Sequence, residues 1–83
     1  MIEKQVVRDF LTTLADKDIR IGDDDSLLAT RLLDSLMVTE LIVFLECHYQ
    51  VAFDSDELTP DNLDTINAIA RLLERKGATD VQQ

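Results

Sequence analysis

Residues 34–49 read Asp-Ser-Leu-Met-Val-Thr-Glu-Leu-Ile-Val-Phe-Leu-Glu-Cys-His-Tyr, with no Gly or Pro among them. Asp34 or Ser35 opens the run as an N-cap, because either side chain can accept from the backbone N–H groups that a helix start leaves free. Asp34 also complements the positive end of the helix dipole. The pattern predicts a helix from about Ser35 to about Gln50. At a helical step of about 100° per residue, Leu41, Leu45, Val38, Tyr49 and Ile42 share one arc, the core stripe. The opposite arc holds Glu46, Thr39, Val43, Leu36, Cys47 and Glu40. Leu36 and Val43 therefore fall on the face that should be wet, beside two carboxylates. Scattered exposed apolar residues, or a loop folded over them, would account for this. So would a docking face of small apolar knobs rimmed by acids.

Upstream, Ile2, Val6, Phe10 and Leu14, with Val7 and Leu11 beside them, recur at spacings of three and four and predict a helix over residues 2–15. From Asp16 to Leu33 the period breaks around Gly22 and the acid run Asp23–Asp25, which should prefer solvent. Ile19, Ile21, Leu27, Leu28, Leu32 and Leu33 still recur there. A connection this long needs a reason. We expect its apolar residues to tuck across the helix ends, with a helical turn near residues 26–30. Downstream, Val51-Ala52-Phe53 is a short apolar link, followed by the acidic loop from Asp54 to Glu57. Thr59-Pro60 reads as an N-cap and first helical position of a short turn ending near Leu63. Asp64 is the expected N-cap of a last helix, with Ile66, Ile69, Ala70 and Leu73 as its buried stripe. Arg71, Arg75 and Lys76 suit its end and Gly77 its stop.

The expected fold is all-α, a small four-helix bundle of three main helices and one short one. One domain spans residues 1–77, and residues 78–83 form a flexible tail. The 83 residues are 46% hydrophobic and 30% charged, an ordinary globular balance. Seventeen acids against eight Lys and Arg give a net charge of −9. That charge argues against nucleic acids and anionic membranes as partners and favours basic protein surfaces. No stretch approaches the length of a membrane span, and the first residues lack the pattern of a signal peptide. A single Cys excludes an internal disulfide framework and fits a reducing compartment, the cytoplasm. We expect a monomer.

Leu33-Asp34-Ser35-Leu36, then Glu40-Leu41, Leu45-Glu46, Tyr49, Val51 and Phe53, and further on Thr65-Ile66 with its apolar stripe, resemble the acyl carrier protein family over roughly residues 2–76. The resemblance implies a four-helix bundle in which a phosphopantetheinyl transferase attaches 4′-phosphopantetheine to Ser35. The thiol of that arm holds an acyl or aminoacyl group as a thioester. It implies that Asp34 and Leu36 flank the modified serine and that Glu40, Val43 and Glu46 lie on the recognition surface, with Thr39 and Cys47 on the same face. The implied partners are the transferase, an acyl- or aminoacyl-loading ligase and a downstream transferase or synthase. Met37, where fatty-acid carriers often have an acid, and Leu58-Thr59-Pro60 with Asn62 resemble carriers of specialised pathways. The same residues also admit a non-carrier acidic module that docks through Leu36 and Val43, with Ser35 only a cap.

Catalysis by the chain itself is not expected. His48 lies about 20 Å along the helix from Ser35, beyond reach of a Ser–His pair. Cys47 and His48 are consecutive and diverge, with no third ligand, and Asp23–Asp25 lacks the spacing of a calcium loop. No metal site is expected. Tyr49 is expected in the core. Leu41, Leu45, Ile66 and Ile69 should be buried between the second and last helices.

Overall fold

A computed structural model describes residues 2–15, 20–29 and 34–78. Four α-helices run through them: α1 (Lys4–Ala15), α2 (Ser35–Tyr49), α3 (Pro60–Leu63) and α4 (Ile66–Arg75). A one-turn 3-10 helix, Ser55–Glu57, lies between α2 and α3, and no strand occurs among the described residues. The all-helical bundle expected from the sequence is what the chain forms. Ile19, Leu32, Leu33 and residues 79–83, for which the sequence set expectations, lie outside the described residues.

The core stripes of α2 and α4 fall where the periodicity put them, while that of α1 centres on Val7 and Leu11 and leaves Val6, Phe10 and Leu14 half-buried. Val7 and Leu11 of α1, Leu41, Leu45 and Tyr49 of α2, and Ile66, Ile69, Ala70 and Leu73 of α4 belong to one buried cluster. Helix α4 packs on both α1 and α3, and α1 packs on α2. Val38 and Ile42 pack against the cluster half-buried. Helix α2 is apolar almost all round because it is covered from two sides. Its Phe44 stacks flat on Phe10 of α1, ring centres 3.9 Å apart, and His48 stacks on Phe44 at 5.1 Å.

Helices α2 and α4 are both followed by a residue in the left-handed conformation. Gln50 has φ 56° and ψ 50°, and the Val51 N–H reaches back to the Glu46 carbonyl at 3.2 Å. Gly77 has φ 79°; its N–H donates to Glu74 C=O and that of Ala78 to Leu73 C=O, both at 3.0 Å. This pair of bonds is a Schellman stop, and the buried Ala78 supplies its apolar contact. The packed body thus extends one residue past Gly77.

The first connection is held by a polar knot. Ile21 and Leu27 are buried, as the recurrence of apolar residues anticipated. The acid run, however, is not simply solvated. Asp23 pairs with Arg8, and its carbonyl accepts from Asn67 N–H at 3.0 Å. Asp24 accepts from Asn67 Nδ2 at 2.7 Å, and Asp25 accepts from Gly22 N–H at 2.8 Å. A Cβ on Gly22 would come within 3.1 Å of the Asp25 carboxylate, so a larger residue there would require that exposed side chain to shift by a few tenths of an ångström. Asp23 and Asp24 thereby tie the connection to α1 and α4, while the Asp25 bond closes the turn within it.

Residue 64 requires a correction. Thr65, not Asp64, caps α4: it has extended backbone and its side chain accepts from Ala68 N–H at 2.9 Å. Asp64 instead turns toward the first connection, as described below.

Candidate functional site

The start of α2 is set by Asp34. Its backbone is extended, its Oδ1 accepts from Met37 N–H at 2.9 Å, and its carbonyl accepts from Val38 N–H at 2.9 Å. Of the two candidate caps, Asp34 therefore takes the role, and Ser35 becomes the first residue of the helix. Leu36 follows, 68% exposed, and Val43 lies further along, 54% exposed. Thr39, Glu40 and Cys47 are exposed as well. The outer face of α2 thus presents two apolar side chains among polar ones, in the arrangement the helical step required.

Glu46 differs from the other residues of that face. It is half-buried, and its carboxylate accepts from Phe53 N–H at 2.9 Å. Together with its carbonyl, which holds Val51, it anchors the link that leaves α2. Cys47 and His48 go to different surroundings, one outward and the other against Phe44. Among the described residues no group of three or more His, Cys, Asp or Glu side chains could hold a metal ion, and no helix is long and apolar enough to cross a membrane.

A cleft of about 130 Å³ opens beside the first turn of α2. Val38 lines one side, Leu28 of the first connection another, and Leu58, Thr59, Pro60 and Leu63 the rest. Val38 stands one turn along the helix from Ser35. The segment that forms the far wall is strapped in place. Thr59 caps α3 by accepting from Asn62 N–H at 3.3 Å, and Asn62 Nδ2 donates to the Glu57 carbonyl at 2.8 Å. The Glu57 carboxylate accepts from Asp54 N–H at 2.8 Å and from Lys76 Nζ at 3.0 Å. Those two donors, the Asp54 backbone first and Lys76 second, hold its pKa below the ordinary carboxylate value.

The near lip of the cleft depends on Asp64. Its carbonyl accepts from Leu27 N–H at 2.6 Å, and its Oδ1 accepts from Ser26 Oγ at 2.7 Å and from Leu28 N–H at 3.1 Å. Ser26 Oγ in turn accepts from Ala29 N–H at 3.1 Å. The Ser26 hydroxyl first, and the Leu28 and Leu27 N–H groups with it, hold the Asp64 carboxyl below its ordinary pKa. Sequence reasoning missed this function for Asp64 because its partners lie 36 and 38 positions away.

A family profile described as the phosphopantetheine attachment site matches residues 4–73 of the chain. A comparison with curated proteins gives no match.

Proposed function

Because the chain belongs to the phosphopantetheine attachment-site family, whose domains carry 4′-phosphopantetheine covalently, we propose that Ser35 takes the arm and that the protein carries acyl or aminoacyl groups between partner enzymes. The observation that supports this most is the placement of Asp34-Ser35-Leu36 at the start of α2, within the matched region. The arm contributes a terminal thiol, on which cargo is held as a thioester.

The chain's own residues prepare the place. Asp34 uses its carboxylate to cap the helix and fixes where the first turn begins. The positive end of the 15-residue α2 favours a phosphodiester at its first residue. The apolar cleft of Leu28, Val38, Leu58 and Leu63 lies where cargo on an arm rooted at the helix start and folded back can rest part of its apolar surface.

In this reading the enzymes act on the protein, which has no turnover of its own. The phosphopantetheinyl transferase, the loading ligase and the downstream transferase or synthase meet the outer face of α2. Leu36 and Val43 supply small apolar contacts there, and Asp34, Thr39, Glu40 and Cys47 surround them. An acidic rim on a chain of net charge −9 would dock basic partners fast and release them readily. A shuttle requires that behaviour.

The test is the intact mass after incubation with coenzyme A and a broad-range phosphopantetheinyl transferase. The wild type gains the mass of one arm and Ser35→Ala gains none. An arm on Ser35→Ala would move the attachment elsewhere. An unmodified wild type would leave the docking face without a carrier role.

A further inference from the structure

Asp64 is placed to do more than join two helices. Three hydrogen bonds from Ser26, Leu27 and Leu28 converge on this one residue. They fix the turn so that Leu27 goes fully into the core while Leu28 stays 37% exposed at the lip of the cleft. Leu63, the neighbour of Asp64 in the chain, lines the same cleft. Asp64 therefore holds two of its walls at once, one through the backbone and one through its carboxylate, while α2 supplies the third through Val38.

We propose that Asp64 is a positioning residue of the carrier site: it sets Leu28 against Val38 and Leu63 and thereby sets the size of apolar cargo that rests beside the start of α2. The inference rests on the carrier reading. At about 130 Å³ the cleft is close to the ~150 Å³ that admits a benzene-sized molecule. It is well below the ~300 Å³ at which pockets for larger ligands begin. The matching cargo end is a short or branched acyl group, or a small apolar aminoacyl side chain. A long chain would overrun the cleft, and the core beside it is closed, with Leu41, Leu45, Ile66 and Ile69 wholly buried.

The experiment transfers butyryl-, hexanoyl- and dodecanoyl-pantetheine arms from the corresponding acyl coenzyme A esters, with loading checked by intact mass. Two quantities are then read on the loaded protein: amide shift changes at Leu28, Val38 and Leu63, and the rate of thioester cleavage by hydroxylamine. In wild type, butyryl and hexanoyl cargo should shift those amides and be cleaved more slowly than dodecanoyl cargo. Asp64→Ala should load normally but lose the shifts, with cleavage of short cargo faster by about threefold to tenfold, as the net loss of a typical hydrogen bond allows. Asp64→Asn, which keeps an acceptor oxygen, should recover most of the protection. Leu28→Ala should match Asp64→Ala, and the double variant should be no worse than either alone. If Asp64→Ala does not fold, Ser26→Ala removes one of the three bonds and is read the same way. Wild-type cleavage rates in the folded Asp64 or Ser26 variants, or additive effects with Leu28→Ala, would overturn the proposal. Wild type that loads but protects all cargo lengths equally would overturn it too. Failure of wild type to load at all would instead remove the carrier reading, and this inference with it.

Discussion

Asp34 and Ser35 are adjacent, and Asp34 holds the cap position of α2 with Ser35 as the first helical residue. The consequence is a stability difference between two neighbouring substitutions. Asp34→Ala should cost about 0.5–2 kcal/mol, because Met37 N–H loses its acceptor. Ser35→Ala should leave the urea midpoint near that of wild type. Equal losses in the two variants would mean that the cap is shared. From sequence the choice was open, since Asp and Ser accept hydrogen bonds equally well. Only the extended backbone of Asp34, φ −106° and ψ −175°, decides it. The same kind of ambiguity misled at Asp64. Asp is a good cap by type, but Thr65 lies one residue closer to the helix and takes the role, while the Asp64 carboxylate is drawn to Ser26 and Leu28. Local residue type shows that a cap is present; its register depends on partners that a local pattern does not contain.

Helix α2 has three differently occupied sides, and the sequence showed two of them. A period of 3.6 separated Leu41, Leu45 and Tyr49 from Leu36 and Val43, and burial follows that division. The third side, Phe44 and His48, belongs with Phe10 of another helix, and no periodicity within α2 announces such a partner. For docking, the exposed side divides again. Val43→Asp should slow loading by a partner enzyme while leaving the melting temperature nearly unchanged, because Val43 is not part of the core. Glu40→Lys should reduce the association rate at low salt, and the difference from wild type should shrink as salt rises. Glu46→Lys should behave otherwise. It removes the acceptor of Phe53 N–H and should lower stability as well as rate. Single-turnover loading at two salt concentrations, read beside thermal melts, separates these effects. Equal rates for wild type and Val43→Asp would take docking away from this face.

At the scale of the whole molecule, a small core works against a large charge. Leu45 is wholly buried, and Leu45→Ala should cost about 2–5 kcal/mol. That is a large share of the ~5–15 kcal/mol that holds a domain together. An unchanged denaturation midpoint would contradict the packing. The net charge of −9 acts in the opposite sense, since like charges repel in a compact body. Acid acts through Glu57 and Asp64. Both have folded pKa values below the ordinary 4.5 and 3.8. The unfolded chain thus binds protons at these residues before the folded one does, and stability must fall as pH drops. Their contribution is fully present above those ordinary values and is lost as pH passes down through the lower folded values. Glu57→Gln and Asp64→Asn should each be less stable than wild type at pH 7 and converge on it as pH falls below the lowered folded values. Urea midpoints measured across that range test the assignment. Acid limbs of the same depth in wild type and both variants would place the acid sensitivity elsewhere.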